Sequence, residues 1–209
     1  MNTIHISLGS DCAVAYNLRK LNLVSEAYPF DWIKCDKPSM ICDCIDNEFS
    51  IFFPRNDLAK KAVLGKKSIE DDSLSETIFF DNITQLKQSD NFMNFDENII
   101  SKIKLKLSNN IILPHEAIGD KFDFDKYKEK YVRRIDRFNK IVRDFNIKKI
   151  FVRADNKKIK EEEKKNLLKS LDNYGCVNYD LIFIDYSQYP VVGEFNWKRE
   201  YMDWAKIFL

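Results

Sequence analysis

A chain of 209 residues with 44% apolar composition is long enough to close one sizeable core and too short to require two domains. Thirty-four basic residues stand against thirty-three acidic ones, a formal charge of +1, so no global field selects nucleic acid or an anionic membrane as partner. The start lacks the basic and apolar regions of a signal peptide, and no apolar run approaches the roughly 18 residues of a membrane span, so a cytoplasmic protein is expected.

In chain order, Thr3-Ile4-His5-Ile6-Ser7-Leu8 predicts a strand that Gly9 ends, and a helix follows from about Cys12 to Leu21 with Val14, Ala15, Leu18 and Leu21 on one face. Tyr28-Pro29-Phe30-Asp31-Trp32-Ile33 is an apolar, aromatic connector. A helix opened by Lys37-Pro38-Ser39 then runs to about Asp46, with the proline suited to a first turn. From Phe49 to Asn110 the pattern is poor: Ile78-Phe79-Phe80 predicts a short strand, and the rest reads as loops or an insertion at about 54–110. Ile111-Ile112-Leu113-Pro114 predicts a short strand ending at His115. Asp123 to Asn146 is the clearest helix, with Tyr127, Tyr131, Ile135, Phe138, Val142 and Phe145 at helical spacing. A strand over Lys149–Arg153, a charged helix over Lys160–Asn173 and a strand over Asp180–Asp185 make a βαβ unit. Trp197, Tyr201 and Trp204, spaced four then three, predict a final helix packed on the core.

The sum is a single α/β domain over residues 1–209, with a small, mostly parallel sheet flanked by helices. Such sheets bind ligands beyond the carboxyl ends of their strands. Gly9, Ser10, Asp11 and Cys12 fall there, and so do Arg153, Ala154 and Asp155.

A cysteine in the first turn of a helix meets unpaired amide N–H groups and the positive end of the macrodipole, which favour thiolate. Gly9 permits a sharp turn and a close approach to the main chain. Nucleophile and oxyanion hole, the latter from N–H groups near Cys12 and Ala13, can then come from one segment. The alternative is a small buried cysteine with Ser10 or Asp11 capping the helix. A nucleophile needs a base, and the chain has two histidines. His5 lies inside the first strand, where burial or a structural hydrogen bond is its expected fate. His115 is the candidate base, with an exposed loop histidine as the other reading.

Asp31 either points at the Cys12 turn or caps a backbone within an aromatic plug. Arg133, Arg134 and Arg137 share a helix face and either bind phosphate groups or pair with Asp136 and neighbouring glutamates. Arg153, at a strand's carboxyl end, is a candidate to face substrate. Five cysteines at irregular spacing read as thiols. Cys42-Asp43-Cys44 with Cys35 lacks zinc spacing, and neither a GxGxxG turn nor a phosphate loop occurs, so no metal and no cofactor are expected. No basic stripe supports nucleic-acid binding.

The stretches Ser7-Leu8-Gly9-Ser10-Asp11-Cys12-Ala13-Val14-Ala15-Tyr16, Tyr28-Pro29-Phe30-Asp31-Trp32-Ile33, Tyr131-Val132-Arg133-Arg134-Ile135-Asp136-Arg137-Phe138 and Phe151-Val152-Arg153 together resemble the DUF1796 family, a domain family labelled as papain-like cysteine peptidases. The resemblance runs from Ser7 to about Arg153. It implies Cys12 as nucleophile and His115 as base, with Asp31, Asp120 or Asp155 as the orienting acid. His115-Glu116-Ala117 departs from the His-Asp-Phe-like stretch of that family.

The opening is also similar to a capsular-polysaccharide acetyltransferase family with a Gly-Asn-Cys-Gln turn, which implies an acyl thioester donor and a glycan acceptor. A third likeness, to esterases of the Gly-Asp-Ser type, is weakened by the order Gly-Ser-Asp and by the lack of any histidine after His115. The expected function is a cysteine-dependent hydrolase or acyl transferase acting on a peptide, acyl or glycan substrate. The alternatives are an acyltransferase of surface polysaccharide and a non-catalytic sugar- or protein-binding domain. The expected catalytic residues are Cys12, His115, Asp31 and Asp155, with Gly9, Ser10, Asp11, Ala13 and Arg153 around the substrate.

Overall fold

β1 (Asn2–Ser7), β6 (Ile147–Asp155) and β7 (Tyr179–Asp185) form a parallel sheet in the order β1-β6-β7. Ile6 lies opposite Phe151, and Phe151 opposite Leu181. The helices are α1 (Ala13–Lys20), α2 (Pro38–Asp46), α3 (Phe124–Val142), α4 (Glu161–Asn173) and α5 (Trp204–Phe208). A computed structural model of the chain describes residues 2–53, 62–67, 74–80, 104–106, 111–117, 124–189 and 197–208; side chains are described over 2–53, 126–189 and 197–208, and at Ile111 and Leu113.

The central strand β6 is apolar on both faces because helices cover both. Alternation along a strand sends successive side chains to opposite sides. Phe151 joins Ile6 in a cluster with Ile41 and Ile45 of α2, Tyr131 and Phe138 of α3, and Leu167 and Leu171 of α4. Val152 and Ala154 join Val14 and Leu18 of α1, Ile184 of β7, and Met202 and Trp204. Helix, sheet, helix layering follows, as the βαβ pattern predicts.

The aromatic connector fills the first cluster. Phe30 packs 5.5 Å from Phe49 and 6.3 Å from Phe138 between ring centroids, and Phe52 stacks on Tyr131 at 4.9 Å. Each such pair adds about 0.5–1.5 kcal/mol beyond its area burial.

Two expectations are corrected. The poorly patterned segment carries strands β2 (Ala62–Lys67), β3 (Leu74–Phe80) and β4 (Lys104–Lys106), which with β5 (Ile112–Ala117) make an antiparallel sheet in the order β3-β2-β4-β5. Two of these strands were signalled, β3 by Ile78–Phe80 and β5 by Ile111–Pro114, whereas β2 and β4 carry no period-two alternation. Ile111 and Leu113 join the aromatic core cluster. The final helix starts at Trp204, and Trp197 lies in the preceding turn, 45% exposed, with its ring edge-on to Tyr16. Arg199, at φ +51, breaks the helix that the spacing suggested. Among the described residues no helix is long and apolar enough to cross a membrane.

Candidate functional site

The site is built on the carboxyl end of β1. The Leu8 N–H donates to the Val152 carbonyl at 2.8 Å, carrying the β1–β6 pairing one residue further. Gly9 (φ +73) and Ser10 (φ +87) then turn the chain through two consecutive left-handed positions. A Cβ on Gly9 would lie 2.9 Å from Ile33 side-chain carbons, so glycine is needed for space as well as for φ. The Ser7 hydroxyl oxygen accepts the Gly9 N–H at 3.2 Å, and the Ser10 carbonyl accepts the Cys35 N–H at 2.9 Å. Both ends of the turn are thereby fastened.

Cys12 is the residue that opens α1. Its carbonyl accepts the Tyr16 N–H at 3.0 Å, and the residue is 8% exposed. The N-cap is Cys12 itself, without a side-chain cap hydrogen bond, and Asp11 just before it accepts the Ala13 N–H with Oδ1 at 2.9 Å. This bond engages the amide that an oxyanion at Cys12 would need.

Asp11 is in turn held by Arg199, which sequence reading missed. Its Nε and Nη2 reach Oδ2 at 3.4 Å, and Tyr186 donates its hydroxyl to Oδ1 at 3.2 Å. Arg199 is buried, donates to Asn156 Oδ1 at 2.8 Å and to the Tyr201 hydroxyl at 3.0 Å, and lies 3.5 Å from the Tyr186 ring centroid. Burial, with the Asp11 charge beside it, pushes the Tyr186 phenol well above its ordinary range, although Arg199 opposes this. This network joins the ends of β1, β6 and β7 to the C-terminal segment. Its only sequence trace was Asp11 itself, since a lone arginine among tryptophans carries no pattern.

Arg153 is fully buried with every N–H engaged. Nε donates to Asp155 Oδ2 at 2.7 Å and Nη2 to Asp155 Oδ1 at 2.5 Å, while the rest reach the Leu8 carbonyl (3.1 Å), the Cys35 carbonyl (2.9 Å) and the Cys35 sulfur (3.5 Å). No donor is left for a substrate. Burial raises the Asp155 carboxyl and the Cys35 thiol, and Arg153 counters both. Ser10 and Asp155 open on a cleft of about 620 Å³ at the carboxyl ends of β1 and β6, which Lys37, Lys157, Lys160 and Glu163 also line.

Asp31 takes the second of its two readings. It is buried and accepts the Tyr28 N–H at 2.9 Å, with Arg19 Nη2 at 4.0 Å. Burial pushes its carboxyl up to about 7, against the pull of Arg134, Arg19 and Arg137. His5 is buried in β1, neither ring nitrogen has a hydrogen-bond partner, and its ring stands edge-on to Phe208 at 5.9 Å. His115 lies inside β5, not at its end, and β5 belongs to the antiparallel sheet. Its side chain, like Asp120, lies outside the described residues.

So the fold gathers Gly9, Ser10, Asp11, Cys12, Ala13, Arg153 and Asp155 at one end of the parallel sheet, and sets Asp31 among arginines elsewhere. The five cysteines are thiols. Among the described residues no three His, Cys, Asp or Glu side chains are grouped to hold a metal ion.

Comparison with known proteins gives a family model described as "Putative papain-like cysteine peptidase (DUF1796)", which matches residues 3–188. A protein of Acanthamoeba polyphaga mimivirus, described as "Uncharacterized protein R408", is 30% identical over 242 aligned residues, covering 100% of this chain and 98% of its own. No solved structure matches. The family match takes in the whole Gly9–Ala13 turn and both sheets among the described residues from residue 3 onward, and with the viral relative it establishes that this chain belongs to the DUF1796 family.

Proposed function

We propose that the protein is a cysteine-dependent acyl-transfer enzyme, hydrolase or acyl transferase, with Cys12 as its nucleophile. The observation that carries this reading is the placement of Cys12 at the N-terminus of α1, immediately after a turn of two left-handed residues at the carboxyl end of a parallel strand. Strained backbone of this kind persists where the surroundings over-determine it, and such positions cluster at functional sites. Membership of a family described by cysteine peptidase chemistry supports the same reading.

In this mechanism the Cys12 sulfur attacks the substrate carbonyl carbon, forming a C–S bond, and His115 takes the thiol proton and returns it to the leaving group. Water or a hydroxyl then attacks the thioester and releases the thiol. The acceptor admitted decides between hydrolysis and transfer. An oxyanion at Ala13 must displace Asp11 from that amide. Arg153 and Asp155 act as positioning residues that hold the turn, and Asp31 shapes the connector. The five thiols support a reducing, cytoplasmic setting. The shared core of β5 and α3 supports one α/β domain with the antiparallel sheet as its insertion.

The test is iodoacetamide alkylation against pH, with peptide mapping to rank the five thiols, in the wild type and in His115→Ala. Cys12 labelled first, with its neutral-pH rate falling in the variant, is the expected result. Cys12 labelled no faster than Cys35 or Cys176 overturns the reading.

A further inference from the structure

The cleft of about 620 Å³ at the carboxyl ends of β1 and β6 is lined by donors that the chain itself does not use. Lys37 stands just before α2, and Lys157, Lys158 and Lys160 lie between β6 and α4; all four are exposed and line the cleft. Among the described residues none of the four forms an ion pair or a side-chain hydrogen bond. The same holds for the Ser10 hydroxyl and for Asn156 Nδ2, while Asn156 Oδ1 is fixed by Arg199 Nη2 at 2.8 Å. The buried acid of the lining is engaged instead: both Asp155 oxygens accept from Arg153. Glu163 Oε2 accepts the Lys160 N–H at 3.0 Å, which leaves Asp36 as the acid without a partner among the described residues. With Asp155 offset by Arg153, four ammonium groups face two carboxylates. A second feature points the same way. Lys37 is the N-cap of α2 and Lys160 the N-cap of α4, so two helices begin at this cleft with a cation at the positive end of the dipole. Glutamates 161–163 compensate in α4, whereas α2 has neither an acid in its first turn nor a side-chain cap.

We propose that this cleft holds an anionic group, phosphate or carboxylate, of the substrate on which Cys12 acts, so that the enzyme takes acidic substrates. The proposal rests on the reading of Cys12 as nucleophile. Ligands of parallel sheets lie beyond the carboxyl ends of the strands, and Ser10, in the wall of the cleft, is two residues from Cys12. The ammonium groups and the two helix starts act on one volume, which raises the local concentration of an anion. Lysines donate as point charges and accept either anion, with the Ser10 hydroxyl and the Asn156 amide as further donors. Arg153, enclosed behind Asp155, supplies no donor and cancels the buried acid.

The test has two arms on the full chain. In the first, sodium pyrophosphate and sodium succinate are titrated at ionic strength matched with sodium chloride, read by amide chemical shifts. Saturable shifts at Ser10 and at residues 156–160 are expected, with half-saturation raised at least about fivefold when Lys157→Gln and Lys160→Gln are combined. Lys148→Gln, which removes a lysine paired with Asp180 at the other end of β6, should leave it unchanged. Tighter binding of pyrophosphate marks a phosphate group as the ligand, and tighter binding of succinate a carboxylate. No saturable shift, or equal half-saturation in the folded double variant, overturns the proposal. In the second arm, iodoacetate and the neutral iodoacetamide are compared at Cys12 and at Cys176. The ratio of the two rates at Cys12 should fall at least about threefold in the double variant and fall with added salt, while the ratio at Cys176 stays constant. A Cys12 ratio that ignores both changes overturns the link between cleft and nucleophile. Cys12 alkylated by iodoacetamide no faster than Cys176, with the pyrophosphate or succinate shifts intact, overturns the role of Cys12 and not the binding of anions by the cleft.

Discussion

Arg153 faces Asp155 two residues further along β6, in a two-pronged pair with Nε to Oδ2 at 2.7 Å and Nη2 to Oδ1 at 2.5 Å. Residues two apart on a strand share a face, which is what brings the pair together. The remaining donors of the same guanidinium reach Leu8 at the end of β1 and Cys35 on the approach to α2. One side chain therefore joins three chain segments around the Cys12 turn.

Breaking this arrangement is far more costly than its net worth, since each partner left behind is buried and unpaired. Arg153→Ala should lose about 3–5 kcal/mol of stability in urea unfolding. Arg153→Lys keeps the charge but cannot span both carboxylate oxygens and both carbonyls, and should recover only part of that loss. A lysine variant as stable as wild type would show that the fork geometry is not what holds the turn.

Gly9 and Gly175 make a matched comparison, because both have positive φ, +73 and +87. A Cβ at Gly175 meets nothing closer than Arg143 Nε at 3.8 Å, so Gly175→Ala should cost only the left-handed strain, roughly 1–2 kcal/mol. At Gly9 the same strain is joined by a 2.9 Å clash with Ile33, so Gly9→Ala should cost more, by about 1–3 kcal/mol for overpacking. Thermal and urea unfolding of the two variants side by side checks the order.

The elements readable in the sequence were those with an apolar helical stripe or a continuous apolar run. α1 begins one residue after Cys12, α2 begins at Pro38, and the βαβ unit runs over Ile147–Asp185. Of the antiparallel strands β2 and β4 were not readable, because Ala62–Lys67 is an apolar run followed by two lysines with no period-two alternation and Lys104–Lys106 is only three residues long. At the site, the Gly9–Cys12 turn announced itself through chemistry packed into four neighbours. Arg199 did not, since it reaches Asp11 across 188 residues of sequence. Arg153 was legible as a functional position but not as a fully enclosed one; exposure at a strand's end depends on what the connector lays over it.

Asp31 makes stability depend on pH with a sign opposite to that of a surface carboxylate. Its ordinary value is 3.8 and the folded value about 7, so between these the unfolded chain releases a proton that the folded chain keeps. Stability on this account is full below about 4 and is lost as pH rises through 7. Asp31→Asn, which keeps the acceptor for the Tyr28 N–H, should match wild type near pH 4 and exceed it at pH 8 by an amount on the order of a few kcal/mol. Denaturant midpoints at pH 4, 6 and 8 test it. A wild type favoured over Asp31→Asn at pH 8 would mean that the arginines hold Asp31 ionised.

His5 works in the other direction over an overlapping window. Burial lowers its value below 6.5, and neither nitrogen has a partner to compensate a proton. As pH falls through 6.5 the unfolded chain takes up a proton that the folded chain resists, so stability is full above that point and is lost below it. The ring is edge-on to Phe208, and Phe208 stacks on Trp204 at 5.7 Å, so the element first loosened should be α5. Protection of the amides of Trp204–Phe208, corrected for the slower intrinsic exchange at low pH, is expected to fall between pH 7.5 and 5.5 ahead of protection in β6. His5→Leu, apolar and of comparable size, should remove this acid response while leaving the Asp31 response intact, and the pair of variants separates the two titrations. An unchanged acid response in folded His5→Leu would assign it to another group.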